Sequence, residues 1–476
     1  MAQQEFRLES DLLGELKVPV DAYYGVQTQR ALNNYRISNT RMCDYPEYVI
    51  SIAYVKMAAA EANAELGVLD RKIADAIVAA CKEIVSGKLH DQFPVDMMQG
   101  GAGTSVNMNA NEVIANRALE LMGHRKGEYQ FCSPNDHVNC AQSTNDAYPT
   151  AFRYTFVRMN KRLVENLTRL IEAFRAKGEE FRDIIKMGRT QLQDAVPMTS
   201  GQEFHAFATN LEEEIANLER NVVLLKEINM GGTAIGTGVN ADKAYLQRIV
   251  SALSEVSGID LIQADDLIDA TQNLDPFVAV SGAIKTCAVS LSKIANDLRL
   301  MSSGPRAGFG EINLPAMQNG SSIMPGKVNP VIPEVVNQVA FNVIGNDMTI
   351  TMEAEAGQLE LNAFEPIIFY NLFQSIDTLG FATETFVDNC INGITANEKR
   401  CREMVENSVG IVTTLAPVIG YQRAADIAKK ALSENRSVRE IILEEKVLDP
   451  EETARILDPV NMTEPTFYGA HGHPST

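Results

Sequence analysis

The chain has 476 residues, enough for two or three domains or for one elongated helical body with smaller ends. Apolar residues make up 45% and charged residues 22%, which sits near the globular average and excludes a mainly disordered chain. With 62 acidic against 42 basic residues the net charge is −20, which argues against nucleic acid or an anionic membrane as a partner, although local basic residues could still hold a small anion.

The N-terminal stretch MAQQEFRLESDLLGEL lacks a basic region followed by an apolar run. No stretch reaches the uninterrupted apolar length expected of a bilayer-crossing helix, so a cytoplasmic protein is expected. Seven cysteines, at positions 43, 81, 132, 140, 287, 390 and 401, are scattered without a Cys-x-x-Cys pair, and an odd number cannot all pair within one chain; reduced thiols are expected.

Up to about residue 140 the chain alternates shorter helices, such as PEYVISIAYVKMAAAEANAELG, with loops rich in Gly and Asn. One cluster there, Cys132-x4-His137-x2-Cys140, has a metal-like spacing. It supplies only three candidate ligands among turn formers, so its placement reads as incidental and no metal is expected. From about Ala151 to Ile185, Phe156, Met159, Leu163, Leu167, Leu170, Phe174 and Phe181 recur at three-four spacing, which predicts a long helix. The same spacing recurs from Phe204 to Leu225 and from Val280 to Met301. Two more long helices are predicted from about Pro333 to Met352 and from Glu365 to Ile391, with Pro333 and Pro366 in first turns, where proline's missing N–H is not needed. FVAVSGAIKTCAVSLSKI, at 277 to 294, is apolar nearly all round, as a helix buried in a bundle and against other subunits would be. Near the C-terminus Ser437 and Glu440 form a capping box, and Asp449-Pro450-Glu451-Glu452 opens another short helix. The expectation is three domains: a mainly helical 1–142, a five-helix 143–397, and a small helical 398–476.

Four polar, glycine-marked segments interrupt this pattern: QGGAGTSVNMNANEV (99–113), NDHVNCAQSTNDAYPT (135–150), GRTQLQDAVPMTSGQE (188–203) and GSSIMPGKVNP (320–330). Each sets hydroxyl or amide side chains on a turn beside a helix end, where free backbone N–H groups suit an anion. Taken singly they read as helix caps. GSSIMPGKVNP is not a nucleotide loop, because five residues separate Gly320 from Gly326 and Val328 stands where a magnesium-holding Ser or Thr would be needed. GGTAIGTG, at 231–238, follows no predicted strand and reads as a loop rather than a dinucleotide site.

Together, and in this order, the four segments resemble the characteristic regions of the aspartase/fumarase superfamily. Gly320, Ser321, Met324, Lys327 and Asn329 match its signature Gly-Ser-x-x-Met-x-x-Lys-x-Asn. The resemblance runs from DLLGELKVPVDAYYGVQTQRAL to NSVGIVTTLAPVIGY and looks strongest to the aspartate ammonia-lyase branch. It implies an all-α, three-domain fold whose long helices form a 20-helix core in a homotetramer, with active sites built from three subunits. It implies the reversible elimination of ammonia from L-aspartate to give fumarate, with no cofactor. Ser321 corresponds to the base, on a mobile loop that closes over substrate. Thr104, Ser143, Thr144 and Ser322 correspond to donors around the carboxylate that gathers charge, Lys327 and Asn329 to the groups that hold the α-carboxylate, and Thr190 and Asn145 to contacts with the amino group.

These residue types suit the chemistry. Removing the proton beside the β-carboxylate makes an aci-carboxylate dianion, which needs hydrogen-bond donors in place beforehand. A serine hydroxyl is too weak an acid to be an alkoxide unaided, so backbone N–H groups of the Gly-rich turn and the field of Lys327 are expected to support it. Class II fumarate hydratase is the alternative enzyme, and a catalytically silent helical bundle the alternative of another class. Gln191 stands where fumarases place a histidine, and an ammonium group, unlike hydroxide, leaves without needing a proton; both favour ammonia over water. Thr144, where fumarases usually have a second serine, agrees. Asp146 and His137 flank that loop, His137 either orienting the polar network or satisfied by backbone groups, and Glu334 follows the signature without a catalytic assignment.

Overall fold

A computed structural model describes residues 5–465; the first four residues of the N-terminal stretch and the end of the 398–476 segment lie outside them. A hairpin, β1 (Phe6–Asp11) and β2 (Gly14–Pro19), opens the chain. The helices of the first part are α1 (Val26–Asn34), α2 (Pro46–Glu65), α3 (Arg71–Val85) and α4 (Thr104–Leu121). Then come α5 (Thr144–Glu180), a hairpin of β3 (Ile185–Thr190) and β4 (Gln193–Thr199), α6 (Ser200–Val222), α7 (Lys243–Ser257), α8 (Leu267–Gln272) and α9 (Asp275–Met301). Two further long helices, α10 (Val331–Glu355) and α11 (Glu365–Asn389), precede five short ones, α12 (Glu398–Asn407), α13 (Ala416–Ile419), α14 (Tyr421–Glu434), α15 (Val438–Glu444) and α16 (Pro450–Ile456).

All five long helices lie where apolar periodicity puts them, with shifted ends. α5 starts seven residues earlier than the apolar stripe and carries Pro149 inside it; the Asn145 carbonyl, which the proline leaves without a helix N–H, accepts Asn229 Nδ2 at 2.9 Å instead. It stops at Glu180, since Ile185 already belongs to β3. At the C-terminal end the Ser437 hydroxyl accepts the N–H of Glu440, one half of the capping box read there, while the Glu440 carboxylate faces Arg436; the Asp449 carboxylate accepts the N–H of Glu452. The segment 188–203 differs from expectation. It supplies a β-hairpin ahead of α6 rather than a simple turn, and its two-residue loop puts Gln191 and Leu192 at φ +55° and +63°.

One expectation is corrected. By length and composition α9 is long and apolar enough to cross a bilayer, although no stretch of that apolar length is expected from the sequence. Phe277, Val280, Ile284, Cys287, Leu291, Ile294 and Leu298 of this helix are buried inside the protein, so its composition is that of a bundle core.

The chain forms two compact units, 1–164 with 216–286 and 342–378, and 165–215 with 287–341 and 379–476. The first is cored by aromatic rings of α5, α9 and α11, with Phe152 stacked on Phe369 at 3.8 Å between centroids and Phe277 and Phe373 against them. The second contains an edge-to-face cluster of Phe174, Phe181, Phe204, Phe207 and Phe386. It also holds an aliphatic cluster in which Ile185 and Met187 of β3 pack with Val405, Ile427, Ile441 and Ile456 of the short C-terminal helices.

Candidate active site

In the first unit two helix starts meet. Gly101, Ala102 and Gly103 all take positive φ, turning the chain so that α4 begins at Thr104. At Gly103 only glycine fits, because a Cβ would lie 2.4 Å from the Tyr148 ring on the first turns of α5. The exposed Thr104 donates its hydroxyl to Gly101 O at 2.8 Å. One turn on, Asn107 donates its amide to the Thr144 hydroxyl at 3.1 Å, so α4 carries a side chain to the first residue of α5.

Asp146 fixes the other side of that helix start. Its carboxylate is buried and accepts Ser143 N at 2.9 Å and Gly231 N and Thr233 N at 3.0 Å each. Burial pushes the carboxyl up while the three N–H groups hold it down. GGTAIGTG is thus a loop strapped to the start of α5, and Asn145 strengthens the strap by donating to Ala234 O at 2.7 Å. The Ser143 hydroxyl accepts Asn145 N at 3.2 Å, which leaves its own hydrogen to donate elsewhere. Asn107, Asn139, Gln142, Ser143, Thr144 and Thr233 line a cleft of about 550 Å³ here.

Sequence reasoning missed what lies behind these residues. Lys56 of α2 is fully buried and donates to three amide oxygens, Asn107 Oδ1 at 2.7 Å, Gln142 Oε1 at 2.9 Å and Asn139 Oδ1 at 3.0 Å. The available signal was a lysine inside VISIAYVKMAAAEA, where nearly every neighbour is apolar or small. His137 belongs to a π-turn, and its Nδ1 accepts Ser133 N at 2.8 Å, so it is anchored by backbone. Among the described residues no three His, Cys, Asp or Glu side chains form a group that could hold a metal.

The second unit carries the other candidates. Thr190 closes the β3–β4 hairpin opposite Gln193, and Gln191 is exposed at the tip. The strand is anchored by a buried ion cluster: Arg189 bonds Glu311 at 2.8 Å, and Lys186 lies 3.3 Å from Glu311 and 2.6 Å from Glu203. The signature residues form a closed loop ahead of α10. Gly320 N donates to Lys327 O at 2.9 Å, and Asn329 Nδ2 donates back to Gly320 O at 2.8 Å. Gly320 needs its missing side chain, since a Cβ would lie 2.6 Å from Lys327 O.

Within this loop Ser321 Oγ accepts two backbone N–H groups, Met324 N at 3.0 Å and Ile323 N at 3.2 Å, while Ser322 and Lys327 are exposed. The arrangement opposes negative charge on Oγ with two fixed dipoles. Asn329 differs from expectation in one respect: one of its two amide hydrogens is engaged in closing the loop, so it shapes the turn besides any ligand contact. Glu334 sits in the first turn of α10. The predicted residues therefore fall into two groups: Thr104, Ser143, Thr144 and Asn145 in the first unit, and Thr190, Ser321, Ser322, Lys327 and Asn329 in the second.

Residues 14–345 match the family model described as Lyase, and residues 411–464 match that of the fumarase C C-terminus. The aspartate ammonia-lyase of Pseudomonas canavaninivorans is 58% identical over 461 residues, 97% of each chain. That of Escherichia coli K12 is 55% identical over 462 residues, again 97% of each. Among solved structures, a fumarate lyase:delta crystallin from Brucella melitensis bound to cobalt superposes with TM-score 0.95 at 54% identity, covering 97% of this chain and all of that one. A class II fumarase from Schistosoma mansoni gives TM-score 0.92 at 36% identity over the same shares. A turn that polarises a serine, two helix starts lined with hydroxyl donors, and identity above one half along nearly the whole length lead to one assignment: the chain belongs to the aspartate ammonia-lyase family of the aspartase/fumarase superfamily.

Proposed function

We propose that the protein is a carbon–nitrogen lyase that converts L-aspartate reversibly to fumarate and ammonia. The observation that carries this reading is the 58% identity to an aspartate ammonia-lyase across 97% of both chains. The turn around Ser321 supports the mechanism, since its Oγ already receives two backbone N–H groups. In that mechanism the Ser321 alkoxide takes a proton from the carbon beside the β-carboxylate. The electron pair left behind spreads into that carboxylate, and Thr104, Ser143, Thr144 and Ser322 donate hydrogen bonds to it, Thr104 by turning its one hydroxyl hydrogen away from Gly101 O. The pair then returns to form the double bond as the C–N bond breaks and ammonia leaves with the bonding electrons. Lys327 and Asn329 hold the α-carboxylate, and Thr190 and Asn145 contact the amino group. No cofactor enters these steps.

The working form in this proposal is a cytoplasmic homotetramer whose active sites draw on three subunits, with the division 1–142, 143–397 and 398–476 in each chain. Ile344, Met348 and Met352 support association: they recur every fourth residue on α10 and are 39, 63 and 64% exposed, a stripe that suits another helix of a bundle. Seven unpaired cysteines suit a reducing compartment. Purified protein incubated with L-aspartate should release ammonia and fumarate in equal amounts. Ser321→Ala should lose nearly all turnover while keeping its oligomeric size. Turnover of L-malate alone would establish the hydratase alternative, and appreciable activity in Ser321→Ala would move the base elsewhere.

A further inference from the structure

Lys56 is a buried cation with no carboxylate bonded to it and no place in the mechanism above. Its Nζ is enclosed by Asn107 Oδ1, Asn139 Oδ1 and Gln142 Oε1 at 2.7 to 3.0 Å. An ammonium has hydrogens to give and nothing to accept with, so all three amides must turn their oxygens toward it. For Asn107 this decides the other end of the amide. Its Nδ2 faces outward and donates to Thr144 Oγ1 at 3.1 Å and to Asn139 Oδ1 at 3.1 Å.

The consequence reaches the hydroxyl that lines the cleft. With Nδ2 donating to it, Thr144 Oγ1 is occupied as an acceptor, and its single hydrogen remains to be given to a ligand. Were Asn107 turned over, its Oδ1 would face Oγ1, take that hydrogen, and leave a lone pair toward the carboxylate that gathers charge. We infer that Lys56 is a positioning residue that sets the hydrogen-bond polarity of the Asn107–Thr144 pair, so that Thr144 donates to the aci-carboxylate.

The remaining geometry supports the same role. Nδ2 of Asn139 and Nε2 of Gln142 are tied to backbone oxygens, Gln142 O at 3.1 Å and Val138 O at 3.0 Å, which keeps both side-chain oxygens on the lysine. Burial pushes the ammonium down to about 7, and the buried Asp146 pulls the other way. A neutral amine would turn a lone pair onto one of three oxygens, so the cage favours the charged form.

The inference rests on the ammonia-lyase reading, and the test separates the two. Four full-length proteins are compared, wild type, Lys56→Met, Thr144→Val and the double variant, for kcat and KM on L-aspartate. Inhibition is measured with succinate and with the nitronate of 3-nitropropionate, which copies the dianion's charge. Lys56→Met should lower kcat by about 100-fold, the cost of one oxyanion donor, with KM changed less than about threefold. It should weaken nitronate far more than succinate, and the double variant should be no slower than the slower single one. If Lys56→Met does not fold, Lys56→Gln, which keeps a donor for one amide, carries the same comparison. Losses that multiply, or equal weakening of both inhibitors, would overturn the role of Lys56 while the reaction stands. A wild type inactive on L-aspartate would overturn the reading beneath it.

Discussion

Adding one methyl group at Gly320 tests whether the closed loop is what presents Ser321. The Cβ of Gly320→Ala would lie 2.6 Å from Lys327 O and 2.9 Å from Asn329 N. Both are backbone atoms, and a Cβ contact is essentially never shorter than 3.0 Å, so the Lys327 carbonyl must retreat by at least about 0.4 Å. That movement strains the two bonds that close the loop, Gly320 N to Lys327 O and Asn329 Nδ2 to Gly320 O. At about 1 kcal/mol each, their loss removes roughly 2 kcal/mol of loop order, or about 30-fold in kcat/KM if catalysis needs the closed form. The assay is fumarate formation from L-aspartate, followed by its ultraviolet absorbance, with the thermal midpoint measured alongside. Because residues 321–328 are mostly exposed, the midpoint should stay within about a degree of wild type. A Gly320→Ala protein with wild-type kcat/KM would refute the argument.

Lys327→Ala should raise KM for L-aspartate by at least about tenfold with a smaller effect on kcat, since an exposed lysine lost from a carboxylate pair removes ground-state and transition-state binding alike; unchanged substrate affinity would reassign the α-carboxylate. Glu365 gives a pH signature. Burial pushes its carboxyl up to about 8 from an ordinary 4.5, with Arg153 pulling it down, so the folded chain holds a proton that the unfolded chain releases. Its stabilising effect is full below pH 4.5 and fades as pH rises through 8, by at most about 1.4 kcal/mol per pH unit. Glu365→Gln should therefore flatten the fall in thermal midpoint between pH 5 and 8. A variant whose midpoint falls as steeply as wild type would place that titration on another group.

The sequence by itself determined the five long helices, because a three-four apolar stripe reports one helix's own burial whatever it packs against. It also determined the signature loop, whose residues are neighbours in the chain: Gly320, Ser321, Lys327 and Asn329 come together within ten positions. The caps at Ser437 and Asp449 were legible for the same reason, each bond spanning three residues. What the sequence left open is non-local. The amides around Lys56 lie 51, 83 and 86 residues from it, and the loop N–H groups on Asp146 lie 85 and 87 away, so no window of sequence contains either cluster. The β3–β4 hairpin was hidden because its tip uses Gln191 and Leu192 at positive φ, without the glycine or asparagine that advertises such a turn. Which way the Asn107 amide faces was decided only by the tertiary structure, where a buried cation claims its oxygen and leaves its hydrogens for Thr144.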